Sequence, residues 1–376
     1  VQWYRNRPKR DSWQNIRKKW GFVMKKTLSL MLVLAMLACS SAVLTSCSSS
    51  PQKSSTSPAP SSSAYSESAF ANLEAVTWRF STQSGSQTVV GKMANWIADE
   101  VATRTDGKFT IEVYTDAILY SDRECIEALA AGSIEAGQGS YGTLSKFADY
   151  CNVVSLPYLA SSWEELNALC FGDDFAGARE LLSDSIQAVG LHPLSFYSTG
   201  LRNFSNNVRP VNTMADMAGL KVRVQQNDVY IDTFNALGAY PVPMAASEVL
   251  VSLQQGTIDA EENPLDFIYN DGFYEFQQYI TRTNHIATFS GYYVSQKAWD
   301  ALPEEFQEVY TAVEACQKIM QQTQEDEEHY RQVLTDAGCE VIDMSEEALA
   351  EMQTTCKETV WPKYADKYAE FLAYFE

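Results

Sequence analysis

Residues 219–265 read GLKVRVQQNDVYIDTFNALGAYPVPMAASEVLVSLQQGTIDAEENPL. Leu220–Val224 is a short, largely apolar run with the pattern of a buried strand. Helical spacing follows over 228–237 and again over 247–255, and Ile258–Glu261 is strand-like once more. Strands that alternate with helices imply βαβ units and mainly parallel sheets.

The same alternation extends outward in both directions. Upstream, Val76–Phe80 reads as a strand. Val89, Val90, Met93, Ile97 and Val101 recur at helical steps. Phe109–Val113 alternates as a strand, and Ile126, Leu129 and Ala130 mark a short helix stopped by Gly132. Ile134–Ala136 and Val153–Leu156 have the character of short buried strands, and 164–182 that of a helix. Downstream, Ile286–Ser295 is strand-like. The longest helical signal follows, from the Leu302-Pro303-Glu304-Glu305 start to Gly338. Proline and acids suit a first helical turn. Read as one helix, 303–337 is about 50 Å long. That exceeds an ordinary domain, so the helix is expected to touch two lobes. The stripe Trp361, Tyr364, Tyr368, Phe371 and Phe375 reads as a last helix packed on the core. No internal repeat is visible.

Ahead of this body lies an address. Met24-Lys25-Lys26 opens a basic segment, and Leu28–Ala38 is an apolar core of secretory-signal length, too short to span a bilayer as a helix. Leu44-Thr45-Ser46-Cys47 resembles the bacterial lipobox, in which the cysteine is lipidated and becomes the first residue. Residues 1–23 read as an upstream extension outside the mature protein, 24–46 as the lipoprotein signal and 47–69 as the lipidated cysteine with its tether. The tether, rich in Ser and Pro, cannot bury enough surface to offset its ordering entropy. The folded body is then about 70–376.

Charge excludes one class of partner. The chain has 376 residues, 28 Lys+Arg and 48 Asp+Glu. Nine of the basic residues and one acid fall within 1–46, which leaves a net charge of −28 on 47–376. Such a body is repelled by phosphate backbones, so nucleic acid is not an expected partner. Three widely spaced histidines, His192, His285 and His329, argue against a histidine-based metal site. Beyond Cys39 and Cys47 there are six cysteines, with no CxxC among them, and export permits either disulfides or buried free thiols.

Catalytic motifs are missing. Gly85 to Met93 departs from a phosphate loop in both spacing and final residue. Gly139-Ser140-Tyr141-Gly142 lacks the first glycine of a nucleophile elbow. Asp259, Glu261 and Glu262 do not share one face of a strand, and in so acidic a chain their clustering is expected by chance. No catalytic residue, cofactor or metal is expected. Two arginines stand out instead. Arg202 follows a strand end, and Arg223 lies inside the apolar strand. A buried guanidinium needs an anion or several acceptors. The residues alone leave open a structural salt bridge or a bound anion.

The run 219–265 resembles the substrate-binding proteins of TRAP (tripartite ATP-independent periplasmic) transporters, the DctP type. The resemblance rests on the G-L-K-x-R strand, the P-x-P-M-x-x-S-E-V turn and the G-x-x-D-x-x-E-N-P segment. It continues through Ser121–Glu124, Ala128–Ile134, Ser155–Leu159, Thr283–Ile286, Trp299–Glu305 and Trp361–Tyr364, over about 75–376. It implies a two-lobed α/β periplasmic-binding-protein-like fold, with a ligand cleft between the lobes and a long helix spanning both. Lobe I would take 70–200 with part of 287–325, and lobe II 201–286 with part of 326–376.

The resemblance further implies a small organic acid as ligand and the subunits of a TRAP membrane permease as partner. Such a receptor performs no reaction. A ligand-presenting role in a sensory system is the alternative with the same fold. By family position Arg223 makes a two-pronged bond to the ligand carboxylate, which its planar guanidinium matches. Arg202 and Asn263 stand nearby, and Gln83, Ser84, Ser140, Tyr141, Ala246 and Phe289 line the cleft. Sialic-acid binders carry an acid at the place of Ser140 and Phe at that of Ala246, so sialic acid is not expected. The location implied is extracytoplasmic, with the lipid on Cys47 as membrane anchor.

Overall fold

The computed structural model describes residues 70–310 and 313–375. The signal, Cys47 and the tether lie outside the described residues. The described chain forms two six-stranded sheets. The first holds β1 (Val76–Ser81), β2 (Phe109–Tyr114), β3 (Ala136–Ser140), β4 (Leu191–Pro193), β5 (Tyr197–Leu201) and β11 (Ala287–Ser295). Its order is β2-β1-β3-β11-β4, with β5 also on β11. The second holds β6 (Asn203–Asn206), β7 (Lys221–Val224), β8 (Tyr240–Pro243), β9 (Ala260–Asn263), β10 (Tyr279–Arg282) and β12 (Glu340–Asp343), in the order β12-β10-β6-β9-β7-β8. Each sheet has its own apolar core. Phe80, Ile126, Leu129 and Tyr292 belong to one, and Phe204, Val222, Val224 and Phe234 to the other. The fold is the expected two-lobed α/β architecture.

The sheets are mixed rather than mainly parallel. β1 runs parallel to β2 and β3, and β7 parallel to β8 and β9. β11 is antiparallel to β3, β4 and β5, and β6 is antiparallel to β9 and β10. The reversed strands are those through which the chain changes sheet. β5 leaves lobe I through Arg202 into β6, and β10 returns through Thr283–Ile286 into β11. The two crossovers are tied together, because the Arg202 amide donates to the Ile286 carbonyl at 2.8 Å. Local propensity reads each strand but not the direction in which a crossover enters the other sheet.

The helix expected over 303–337 is two helices, Glu304–Val309 and Val313–Asp336. Val309, Val313 and Cys316 keep helical spacing, and neither Gly nor Pro marks the end of the first helix at Tyr310. Phe306 and Tyr310 are held by aromatic packing on Phe109 and Trp78. The second helix, 24 residues and about 36 Å long, spans both lobes. Cys316, Ile319 and Met320 join the lobe I core, while Leu334 packs with Leu265 and Ile280. It passes close beneath β5 at Gly200, whose φ of +102° strains any residue with a side chain, although a Cβ there would meet Trp163 and Thr323 only at ordinary contact distance.

Three local readings are corrected as well. Val153–Leu156 is no strand, since Asp149–Ser155 is a 3-10 helix. The helix over 164–182 is interrupted at Gly172, giving Trp163–Phe171 and Ala176–Gln187. The aromatic stripe 361–375 forms short turns of helix, yet Tyr368 and Phe371 are buried in the lobe I core. All six described cysteines are free and buried.

Candidate functional site

A cavity of about 410 Å³ lies between the two sheets. It opens where β1, β3 and β7 end, the carboxyl edge at which α/β sheets take ligands. Helix Asp122–Ala131 borders it, started by the reciprocal Ser121–Glu124 cap and stopped by Gly132 at φ +72°. Helix Asp228–Ala236 begins at Asn227, whose Oδ1 accepts from the amides of Val229 and Tyr230. The amide of the same side chain reaches Gly142 O and Asn152 Oδ1 in lobe I, at 3.0 and 2.7 Å.

Seven of the nine expected ligand-binding residues border this cavity: Gln83, Ser84, Ser140, Arg202, Arg223, Ala246 and Asn263. Tyr141 and Phe289 do not. Both are 2% exposed and pack on Phe196, Tyr141 edge-on at 4.9 Å and Phe289 stacked at 4.8 Å. The reason is strand alternation. On β11, Thr288 and Ser290 face the cavity, so Phe289 between them points into the core. Thr288 and Ser290 are therefore the residues that the positional reading missed, and the period of two was the signal for them. Asp122, Gln138 and Asp271 also border the cavity. Asp122 accepts from the Ser140 amide and hydroxyl at 3.2 and 2.8 Å.

The two arginines have different surroundings. Arg202 is 1% exposed and fully engaged. Its Nε and Nη2 donate to the Glu262 carboxylate, Nη2 also to Asn263 Oδ1 at 2.8 Å, and Nη1 to Thr288 Oγ1 at 3.0 Å. Glu262 is shared with His285 Nε2 at 3.2 Å. Burial pushes the Glu262 carboxyl up, but Arg202 and His285 outweigh it and hold it below the usual range. Asn263 is spent at both ends, since its Nδ2 donates to Glu261 Oε2 at 2.6 Å. Glu261 itself is pushed up to about 7 by burial.

Arg223 is 4% exposed and has no such partner. On β7, Val222 and Val224 enter the lobe II core, which turns the intervening Arg223 toward the cavity. Its Nε and Nη2 donate to one neutral acceptor, Met244 O, at 3.2 and 2.9 Å. Among the described residues no carboxylate stands within ion-pair distance of it. Burial, together with neighbouring Arg202, lowers its pKa. A buried cation of this kind calls for an external anion. Among the described residues no group of three or more His, Cys, Asp or Glu is placed to hold a metal ion.

Two sheets joined by crossovers, with an anion-receptive cleft between them, define a two-lobed binding protein. Residues 80–367 match bacterial extracellular solute-binding protein family 7, DctP, and the chain belongs to that family, the substrate-binding proteins of TRAP transporters. It is 31% identical to the C4-dicarboxylate-binding periplasmic protein DctP of Rhodobacter capsulatus, over 79% of this chain and 87% of that one. It is 28% identical to the 2,3-diketo-L-gulonate-binding periplasmic protein of Escherichia coli, over 72% and 82%. Among solved structures, the TRAP solute-binding protein of Shewanella oneidensis with succinate superposes with a TM-score of 0.75, at 26% identity, over 80% of this chain and 98% of that one. The sugar acid binding protein of Advenella mimigardefordensis with galactonate gives 0.74, at 25% identity, over 80% and 96%.

Proposed function

We propose that this protein captures a small organic acid between its lobes and hands it to a TRAP membrane permease, without chemical change to the ligand. The carrying observation is Arg223, a buried guanidinium that faces the cavity with one carbonyl as its acceptor. A planar fork matches a carboxylate with two parallel hydrogen bonds. Relatives named for dicarboxylates and sugar acids support a carboxylate as the ligand. Arg202 and Asn263 hold the wall beside Arg223, while Gln83, Ser84, Ser140 and Ala246 complete the lining. In this reading lobe I comprises 70–200 with part of 287–325, and lobe II 201–286 with part of 326–376.

A melting screen tests the ligand class. An acid at about 100 times its Kd stabilises the fold by about 2.7 kcal/mol. Carboxylates are expected to raise the melting temperature and neutral sugars or amines to leave it unchanged. A panel in which only neutral compounds stabilise sinks the proposal.

The anchor follows from the lipobox-like Leu44-Thr45-Ser46-Cys47 behind its apolar core. No described helix is long and apolar enough to cross a membrane. In this reading the lipid on Cys47 carries the attachment. Cys47→Ala is expected to shift the protein from the detergent phase to the aqueous phase, or to leave the precursor uncleaved. Unchanged partitioning contradicts the anchor.

A further inference from the structure

We infer that the protein has a second site, outside the cleft, at which Asp266, Asn203 and Thr199 hold one small monovalent cation of the size of sodium. A cavity of about 20 Å³ lies where β5 crosses into β6 against the spanning helix. β5 gives it Thr199 and β6 gives Asn203. Helix Leu265–Asn270 gives Asp266, and helix Val313–Asp336 gives Thr323 and Glu327. It shares no lining residue with the cleft, although the same two segments serve both. Arg202 and Asn263 border the cleft, while Asn203 and Asp266 border the second cavity.

Three of these residues carry a buried oxygen with no hydrogen-bond partner among the described residues: Asp266 Oδ1, Asn203 Oδ1 and Thr199 Oγ1. The residues are 5%, 2% and 0% exposed. Buried polar atoms are nearly always partnered by protein, water or an ion. Three orphans on the wall of one small cavity point to a shared partner. Asn203 Nδ2 donates to Leu201 O at 3.1 Å, so Oδ1 is its open end. The other polar groups of the wall are engaged. Glu327 accepts from Trp163 Nε1 at 2.7 Å and from Arg282 Nη2 at 2.8 Å. The Thr323 hydroxyl donates to Ile319 O at 2.8 Å, and the Tyr330 hydroxyl accepts from Asn270 Nδ2 at 3.0 Å.

Charge decides between a water and a cation. Among the described residues no basic side chain pairs with Asp266. Burial pushes its carboxyl up to about 7, and Asp271 and Asp326 push the same way against the Phe267 amide. A water bridges such oxygens but leaves the carboxylate without a counter-charge, whereas a cation satisfies the oxygens and the charge together. The cavity takes one water-sized sphere, which excludes an organic or fully hydrated cation. Carboxylate, amide and hydroxyl oxygens are the donors a hard cation takes. Glu327 is already neutralised by Arg282, so Asp266 alone balances the ion, and a single positive charge fits.

The test is thermal melting of the protein without organic acid at about pH 8, above the raised Asp266 value. Sodium chloride is exchanged for choline chloride at constant ionic strength, so that screening of the acidic surface is held fixed. Sodium at about ten times its Kd is expected to raise the melting temperature by about 2–4 °C over choline. Asp266→Asn keeps the shape and removes the charge. It is expected to lose the sodium response while melting in choline no lower than the unaltered protein. Thr199→Val is expected to move the midpoint of the sodium titration up about tenfold, the worth of one oxygen on a charged group. Equal melting in sodium and choline overturns the site and assigns these oxygens to a buried water. A full sodium response in Asp266→Asn puts the ion elsewhere and overturns it too. Calcium chloride that stabilises more than sodium, with the gain lost in Asp266→Asn, overturns the monovalent assignment. Should Asp266→Asn fail to fold, an unmoved midpoint in Thr199→Val overturns the site.

Discussion

Arg223→Met is expected to weaken capture of the acid by about 30- to 5000-fold while leaving the empty protein as stable or more stable. Truncating one partner of a buried, hydrogen-bonded charge pair costs about 2–5 kcal/mol of binding, about 30- to 5000-fold in Kd. Arg223→Lys restores little, because an ammonium is a point donor and cannot match the carboxylate fork. The second half of the prediction comes from the empty site. There Arg223 is buried with only Met244 O as acceptor, and burial already lowers its pKa. Replacing an uncompensated buried charge by an apolar chain of similar reach is neutral or stabilising. Calorimetry with a bound carboxylate, paired with urea unfolding of the ligand-free protein, separates the two effects. Near-normal affinity in Arg223→Lys rejects the two-pronged role. Lost binding accompanied by lost stability makes Arg223 a structural residue instead.

The site was readable in the sequence where chemistry and strand period agree. An arginine flanked by buried valines on a strand can only face away from the core, and Arg223 does. The same period misplaces Phe289 when position in a family is used without it, since Thr288 and Ser290 take the cavity face. Arg202 shows a different limit. Its place just past a strand end was readable, but its partner Glu262 lies 60 residues further on and meets it only because β6 pairs with β9. Sequence spacing carries no trace of that pairing. The fold divides along similar lines. The alternation of strands and helices was legible, while the antiparallel entry of β6 and β11 and the end of helix Glu304–Val309 were not. The strand directions depend on where the chain crosses between sheets, and no glycine or proline marks the end of the helix at Tyr310.

The buried group at that crossing carries the largest expected effect on stability. Glu262→Gln is expected to destabilise the protein by about 3–5 kcal/mol, because it leaves the Arg202 cation buried without its counter-charge. Arg202→Met leaves the Glu262 carboxylate, 0% exposed, with His285 as its remaining partner and is expected to cost a similar amount. Arg202→Met combined with Glu262→Gln removes both charges and is expected to cost less than the sum of the two single changes. The coupling also sets a direction with pH. Arg202 and His285 hold the folded Glu262 carboxyl below its ordinary range against the effect of burial. Its contribution is therefore fully present above the unfolded value and is lost as pH falls through the folded one. His285, which burial keeps neutral below its ordinary value, acts in the same direction, since the unfolded chain takes up its proton first. Glu261 works oppositely: raised to about 7 in the fold, it favours the native state most below its unfolded value and loses that contribution as pH rises toward 7. Urea unfolding of the four proteins at pH 7 and pH 5 tests the set. Additive losses at pH 7 would show that Arg202 and Glu262 do not act as a pair.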